Sequence, residues 1–251
     1  MPLSLDRRNK KKVSTMVAKN LKIAVVGAGA IGGVTAAFMK KAGWDPVLVC
    51  KHADTLAQVK APGLQITGLK GTHTVPLSAV QTIAELPTGL DIVFHATKAN
   101  DCVAAAEALL PKLKPDAVVV SLQNGISEDA LAKVLGRERV TGCVVGWGAN
   151  HTGCGEREVT SDGEFIIGNI DHQPDARLEM IRPMLAAVQP TRISDNIMGE
   201  LYSKLMINAC INTASFVHGQ YGGSGICRIL EHTAAGAGPR TGLRFFPFNG
   251  C

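Results

Sequence analysis

The stretch Leu21-Lys22-Ile23-Ala24-Val25-Val26-Gly27-Ala28-Gly29-Ala30-Ile31-Gly32 decides how the rest of the chain is read. Residues 21–26 form a short apolar run rich in β-branched side chains, as a parallel strand buried on both faces requires. The remainder matches Gly-x-Gly-x-x-Gly, a weak pattern alone because glycines also mark ordinary turns. Here it follows a predicted strand and opens a predicted helix, which is the context its mechanism needs. Gly27 permits the tight turn, Gly29 lets the backbone approach a pyrophosphate, and Gly32 allows close packing of helix on strand. With Ala28, Ala30 and Ile31 they form the expected cofactor-binding turn, whose N–H groups at the helix start face the anion.

The residue ending the second strand distinguishes the two nicotinamide cofactors, because an acid there hydrogen-bonds the ribose 2′-hydroxyl of NAD. Val49-Cys50-Lys51-His52 contains no acid. Lys51 stands where a 2′-phosphate would sit, so NADP, as NADPH, is expected. Asp54 is the rival acid, and its place after Ala53 reads better as the cap of the next helix.

Working outward, Ile31, Val34, Ala37, Phe38 and Ala42 predict a helix of small residues closed by Gly43. Strands are predicted at 46–50, 91–96 and 117–122, with a helix at 101–113. This alternation predicts an α/β fold, a Rossmann-type parallel sheet with helices on both faces. After a Gly-rich stretch at 142–155, residues 164–168 read as a strand and 176–188 as a helix ended by Pro190. Residues 195–217 then read as one long helix with Asp195 or Ser194 as N-cap. The expected plan is a basic disordered extension at 1–20, an NADP-binding Rossmann domain at 21–190, and a shortened all-α substrate domain at 191–251 with an irregular tail from 219.

The 251 residues carry a formal charge of +5, all of it within residues 1–20, where six basic side chains face the one acid, Asp6. The remaining residues balance, so nucleic-acid binding would rest on that short arm alone and is not expected. No run of about 18 apolar residues predicts a membrane span. No apolar segment follows the basic cluster as a secretory signal would require. The seven cysteines are scattered and never spaced Cys-x-x-Cys, which fits reduced cytoplasmic thiols and no metal site.

Glu200, Lys204, Asn208 and Asn212 recur every four residues and share one helix face, beside the apolar Leu201, Leu205, Met206, Ile207 and Ile211. Asparagine is a poor helix former, so lining a cleft explains the stripe better than a solvated face. Together with Gly27 to Gly32, Ala96-Thr97-Lys98-Ala99 and Leu122-Gln123-Asn124-Gly125, the segment Lys204-Leu-Met-Ile-Asn208-Ala-Cys-Ile-Asn212 resembles the ketopantoate reductase family. That resemblance covers about residues 21–218. It implies an NADPH-dependent 2-dehydropantoate 2-reductase that makes pantoate for pantothenate synthesis. It further implies that Lys51 contacts the 2′-phosphate, that Lys98 and Asn124 face cofactor and reaction cleft, that Lys204 is the general acid, and that Asn208 and Asn212 hold substrate. The chemistry agrees: hydride delivered to a 2-oxo carbon leaves an alkoxide, and an ammonium within reach can protonate it.

The sequence departs from the family after His218. The family's further helices, with a Ser-rich segment and an acidic residue, find no counterpart in residues 219–251, which hold eight glycines and two prolines. This change reads as a shifted frame or truncation. Two readings remain open: an active reductase of ketopantoate or another small 2-oxo acid, and a non-catalytic NADP-binding remnant. A long helix short of partners would leave Leu201, Leu205 and Ile211 uncovered, so homodimer formation or self-association is expected.

Overall fold

The computed structural model describes residues 21–218, with side chains as far as Cys210. The expected extension at 1–20 and tail from 219 lie outside the described residues. The first turn of structure runs β1 (Ile23–Val26), α1 (Ala30–Lys41) and β2 (Pro46–Val49), close to the limits read from the sequence. Gly43 takes φ +95° just beyond α1, the left-handed conformation that ends helices. Then come α2 (Ala53–Gln58), β3 (Leu64–Gly68), β4 (His73–Val75), β5 (Ala79–Val80), β6 (Leu90–His95), α3 (Cys102–Leu109) and β7 (Leu113–Ser121). They are followed by α4 (Glu128–Leu135), β8 (Val140–Val145), β9 (Gly148–Gly153), β10 (Glu156–Ser161), β11 (Phe165–Asn169), α5 (Arg177–Ala186), β12 (Thr191–Ile193) and α6 (Ile197–His218).

Eight strands form one sheet in the order β12-β11-β8-β7-β6-β1-β2-β5. Every neighbouring pair is parallel except β11 against β8. Alternate residues of each strand feed a separate core on each face. Ile23 and Val25 of β1 join Val34, Ala37 and Met39 of α1 and Ile181 and Leu185 of α5 on one side. Ala24 and Val26 join Ala106 and Leu109 of α3 and Leu131 and Leu135 of α4 on the other. Double-sided burial is why the strand sequences are continuously apolar rather than alternating.

A second sheet, ordered β4-β3-β10-β9, packs on the α1 side through Leu64, Ile66, Val75 and Val159. Its strands β3 and β10 are parallel and its other pairs antiparallel. Sequence reading misses this sheet, placing no strand at 64–75 or 156–161, and it reads 142–155, which holds β9 and part of β8, only as a Gly-rich stretch. Those glycines instead make room: a β-carbon on Gly142, inside β8, would lie 2.9 Å from Ile197 Cγ1.

Three further expectations are corrected. Asp54 does not cap α2; His52 holds the N-cap position, and Asp54 sits in the first turn, where its charge suits the helix dipole. The helix expected at 101–113 is α-helical only over Cys102–Leu109, because Pro111 has no N–H to continue it and the chain tightens into a 3-10 turn at Leu110–Lys112. For α6, the Asn196 side chain accepts the Gly199 N–H at 3.1 Å, while Ser194 Oγ accepts the N–H of Asn196 itself at 3.1 Å. Asn196 is thus the cap, rather than Asp195 or Ser194.

The sheet also continues past residue 190, since Thr191–Ile193 pairs with β11. Ile197 and Leu201 are 0% and 3% exposed and belong to the core, and the chain divides into compact units after Leu201. Tyr202–His218, the described part of the second unit, continues α6.

Candidate functional site

Register places four of the expected segments at one sheet edge. Val26 lies opposite Val49 and His95, and His95 lies opposite Ser121. The chain therefore leaves β1 at Gly27, β2 at Cys50-Lys51, β6 at Ala96–Lys98 and β7 at Leu122–Asn124 from the same carboxyl edge. Chain order reverses between β1 and β6, because β2 lies on one side of β1 and β6 on the other. A crevice at such a switch point is where open α/β sheets take ligands.

The three glycines of the turn have different roles. Gly27 has φ +111°, and a β-carbon on it would lie 2.6 Å from the Ala96 carbonyl oxygen. At Gly32 a β-carbon would meet Ala96 Cβ at 2.9 Å, so both glycines are required by packing. Gly29 is exposed, with ordinary backbone at φ −68°, and nothing lies within 4 Å of its would-be β-carbon. The protein itself gives no reason for a glycine there, whereas a closely approaching ligand does. Gly29 is also the N-cap of α1, with no side-chain cap bond and no acid in the first turn. The N–H groups of that end are left to an anion. These residues fit a dinucleotide pyrophosphate.

Lys51 is exposed directly after β2, and Lys98 is exposed directly after the Ala96-Thr97 crossing. Asn124 is exposed beside Gly125, which takes φ +91°. The loops bearing Lys98 and Asn124 are tied together by Gln123, whose Nε2 donates to the Thr97 carbonyl at 3.0 Å and to Thr97 Oγ1 at 3.1 Å. Its Oε1 accepts the Cys102 thiol at 3.2 Å. Beneath them His95 is 0% exposed, neither ring nitrogen has a well-formed hydrogen bond, and burial pushes the imidazole down to about 4 with Gln123 opposing. Glu128, also buried, is held above the usual carboxylate range by loss of solvent, against the lowering effect of its own N–H, Ser121 and the Ser127 N–H.

Sequence reading assigned no role to Gln123 or His95, and it missed Arg157 altogether. Arg157 is 0% exposed on β10, with its guanidinium turned toward the glycine turn. Strand alternation held the signal, since Arg157 and Val159 are the two buried positions of β10. A second signal was Gly33, a further helical glycine costing roughly 1 kcal/mol relative to alanine. A β-carbon there would press on Arg157 Nε at 3.3 Å.

Lys204, Asn208 and Asn212 lie at four-residue spacing along α6 in the second unit. Lys204 and Asn208 are half-buried, and the Asn212 side chain lies outside the described residues. Among the described residues no group of three or more His, Cys, Asp or Glu side chains is arranged to hold a metal ion.

The family model described as ketopantoate reductase PanE/ApbA matches residues 23–172. The chain belongs to the ketopantoate reductase family. A 2-dehydropantoate 2-reductase of Archaeoglobus fulgidus is 31% identical over 195 residues, covering 76% of this chain and 62% of that protein. The structure of a 2-dehydropantoate 2-reductase from Geobacter metallireducens GS-15 superposes with a TM-score of 0.72 at 27% identity, covering 78% of this chain and 65% of the other. A D-mandelate dehydrogenase solved with NADH and anilino(oxo)acetate gives 0.70 at 25% identity, over 78% and 64% of the two chains. This ketopantoate reductase family member thus spans under two thirds of the length of these relatives. Its matched portion holds all four loops of the carboxyl edge.

Proposed function

We propose that the chain binds NADPH and reduces 2-dehydropantoate, or a related small 2-oxo acid, to the 2-hydroxy acid. The observation that carries this reading is the exposed Gly29 at an uncapped helix start, in register with Lys51, Lys98 and Asn124 across the switch point. Lys51 at the end of β2 favours the 2′-phosphate of NADPH, since no acid occupies that position. The fold alone does not set that choice, since a similar D-mandelate dehydrogenase was solved with NADH. When bound, the cofactor supplies a hydride to the 2-oxo carbon. Lys204 donates the proton that the resulting alkoxide takes up, and Asn208 and Asn212 hold the substrate through neutral hydrogen bonds. Lys98 and Asn124 bind the cofactor, with Asn124 reaching toward the substrate.

No helix among the described residues is long and apolar enough to cross a membrane. A cytoplasmic enzyme is the accompanying reading, with self-association through the exposed Tyr202, Leu205 and Met206 of α6. The test is consumption of NADPH on addition of 2-dehydropantoate, run beside 2-oxo acids of different size. Turnover confined to NADPH and one 2-oxo acid supports the proposal. Cofactor binding without turnover of any 2-oxo acid leaves a dinucleotide-binding protein that is not a reductase.

A further inference from the structure

Among the described residues Arg157 is the largest fully buried side chain, and no carboxylate lies within 4 Å of it. All its hydrogen bonds go to main-chain carbonyls. Nη1 donates to Gly153 at 3.1 Å and to Glu156 at 2.6 Å, anchoring the side chain to its own hairpin. Nε donates to the Gly29 carbonyl at 3.1 Å, and Nη2 donates to that of Ala28. Burial lowers the guanidinium from its ordinary value, with Cys50 and Cys154 opposing, but arginine stays charged in proteins.

Peptide units are planar and trans, so a carbonyl held in one direction sends the N–H of the same unit the opposite way. The Gly29 oxygen also accepts the Gly33 N–H of α1 at 2.9 Å, so helix and guanidinium together hold that peptide, and with the Ala28 oxygen held by Arg157 the N–H groups of Gly29 and Ala30 turn away from the guanidinium. Gly29 itself is exposed, and a β-carbon there would have nothing within 4 Å. A positive charge buried without a counter-charge also favours an anion arriving in front of the turn.

We propose that Arg157 is the positioning residue of the dinucleotide turn: it fixes the direction of the Gly29 N–H, shares with α1 the holding of the Ala30 N–H, and supplies buried positive charge behind the pyrophosphate, with the second sheet as its mount. Gly33 leaves the space in which the guanidinium sits. This role rests on the dinucleotide reading above.

The experiment compares ADP-ribose, which carries a pyrophosphate, with adenosine 2′-monophosphate, which does not, by titration calorimetry on the full chain. Arg157→Met weakens ADP-ribose by roughly tenfold or more, the scale of one lost charge-assisted interaction, and leaves adenosine 2′-monophosphate within about twofold. Arg157→Lys, which keeps the charge but not the planar fork, falls between. Equal ADP-ribose affinity in Arg157→Met and the unmodified protein overturns the role of Arg157 alone, as does equal weakening of both ligands. No binding of ADP-ribose by the unmodified protein overturns the dinucleotide reading and this role with it. Should Arg157→Met not fold, the Nε–H resonance of Arg157 in the unmodified protein decides: it shifts together with the Gly29 and Ala30 amides on adding ADP-ribose, and an unmoved resonance overturns the proposal.

Discussion

The carbonyl oxygen of Gly27 lies 2.1 Å from where a β-carbon on Gly32 would be, so the first and last glycines of the turn are packed against each other with no room for a methyl group. A β-carbon on Gly29, between them, would have nothing within 4 Å. Substitution separates the two roles. Gly29→Ala keeps its melting temperature or gains slightly, since alanine at a compatible backbone position stabilises by about 0.4–1 kcal/mol, yet it loses dinucleotide affinity. Gly27→Ala forces a β-carbon into φ +111° and against Ala96, and costs on the order of 2 kcal/mol or more. Thermal melting and cofactor titration of the two variants check the contrast. Equal loss of stability in both would remove the case for a ligand at Gly29.

The role proposed for Lys51 in cofactor choice is tested by substitution. Lys51→Ala raises the Kd for NADPH by roughly tenfold, as expected for one charge-assisted contact to a phosphate, and leaves NADH nearly unchanged. Lys51→Asp narrows or reverses the preference. Fluorescence titration of the unmodified protein with both cofactors comes first, because equal affinities there refute the NADPH assignment.

Lys204 is tested by rate rather than affinity. Lys204→Ala lowers kcat by roughly 10²–10⁴-fold, the range for losing a general acid, while cofactor binding persists. Full turnover in that variant removes Lys204 from the reaction.

Between pH 6.5 and about 4, buried His95 makes stability fall with acidity. Its folded-state pKa is below the unfolded value, so in this window the unfolded chain binds a proton that the native state does not. The loss is complete near pH 4 and is on the order of 3 kcal/mol for a shift of this size. Glu128 acts in the opposite sense. Its raised pKa lets the native state take a proton first, so acidification toward 4.5 relatively favours the fold. Denaturant unfolding across this range shows a shallower acid loss for His95→Gln and a steeper one for Glu128→Gln. An unaltered profile in His95→Gln rules out His95 as the source.

The main sheet was legible because burial on both faces writes itself into sequence as continuous apolar runs such as Ile23–Val26, and because Gly27 to Gly32 punctuates the first of them. The second sheet was not. His73–Val75 is too short to show a period, and Gly148–Gly153 reads as turn residues while lying in a strand. Four of the expected site segments share an edge because parallel register carries them there, which the order of strands in the sequence already implied. Arg157 escaped because a charged side chain in a strand ordinarily signals solvent. Here main-chain oxygens accept its protons, those of Gly153 and Glu156 in its own hairpin and those of Ala28 and Gly29 far away in the chain.

That remoteness matters for how the protein is made. Arg157 and Gly29 are 128 residues apart, and β3 is held parallel to β10 across most of the same interval. The glycine turn leaves the ribosome among the first pieces of the fold, but its mount is synthesised much later, and contacts of such long sequence separation form slowly. A nascent chain ending before residue 157 carries the complete fingerprint and still lacks the group that aims it. The β-α-β segment at the start of this chain is therefore not a portable binding cassette, and grafting it alone would transfer the motif without its affinity.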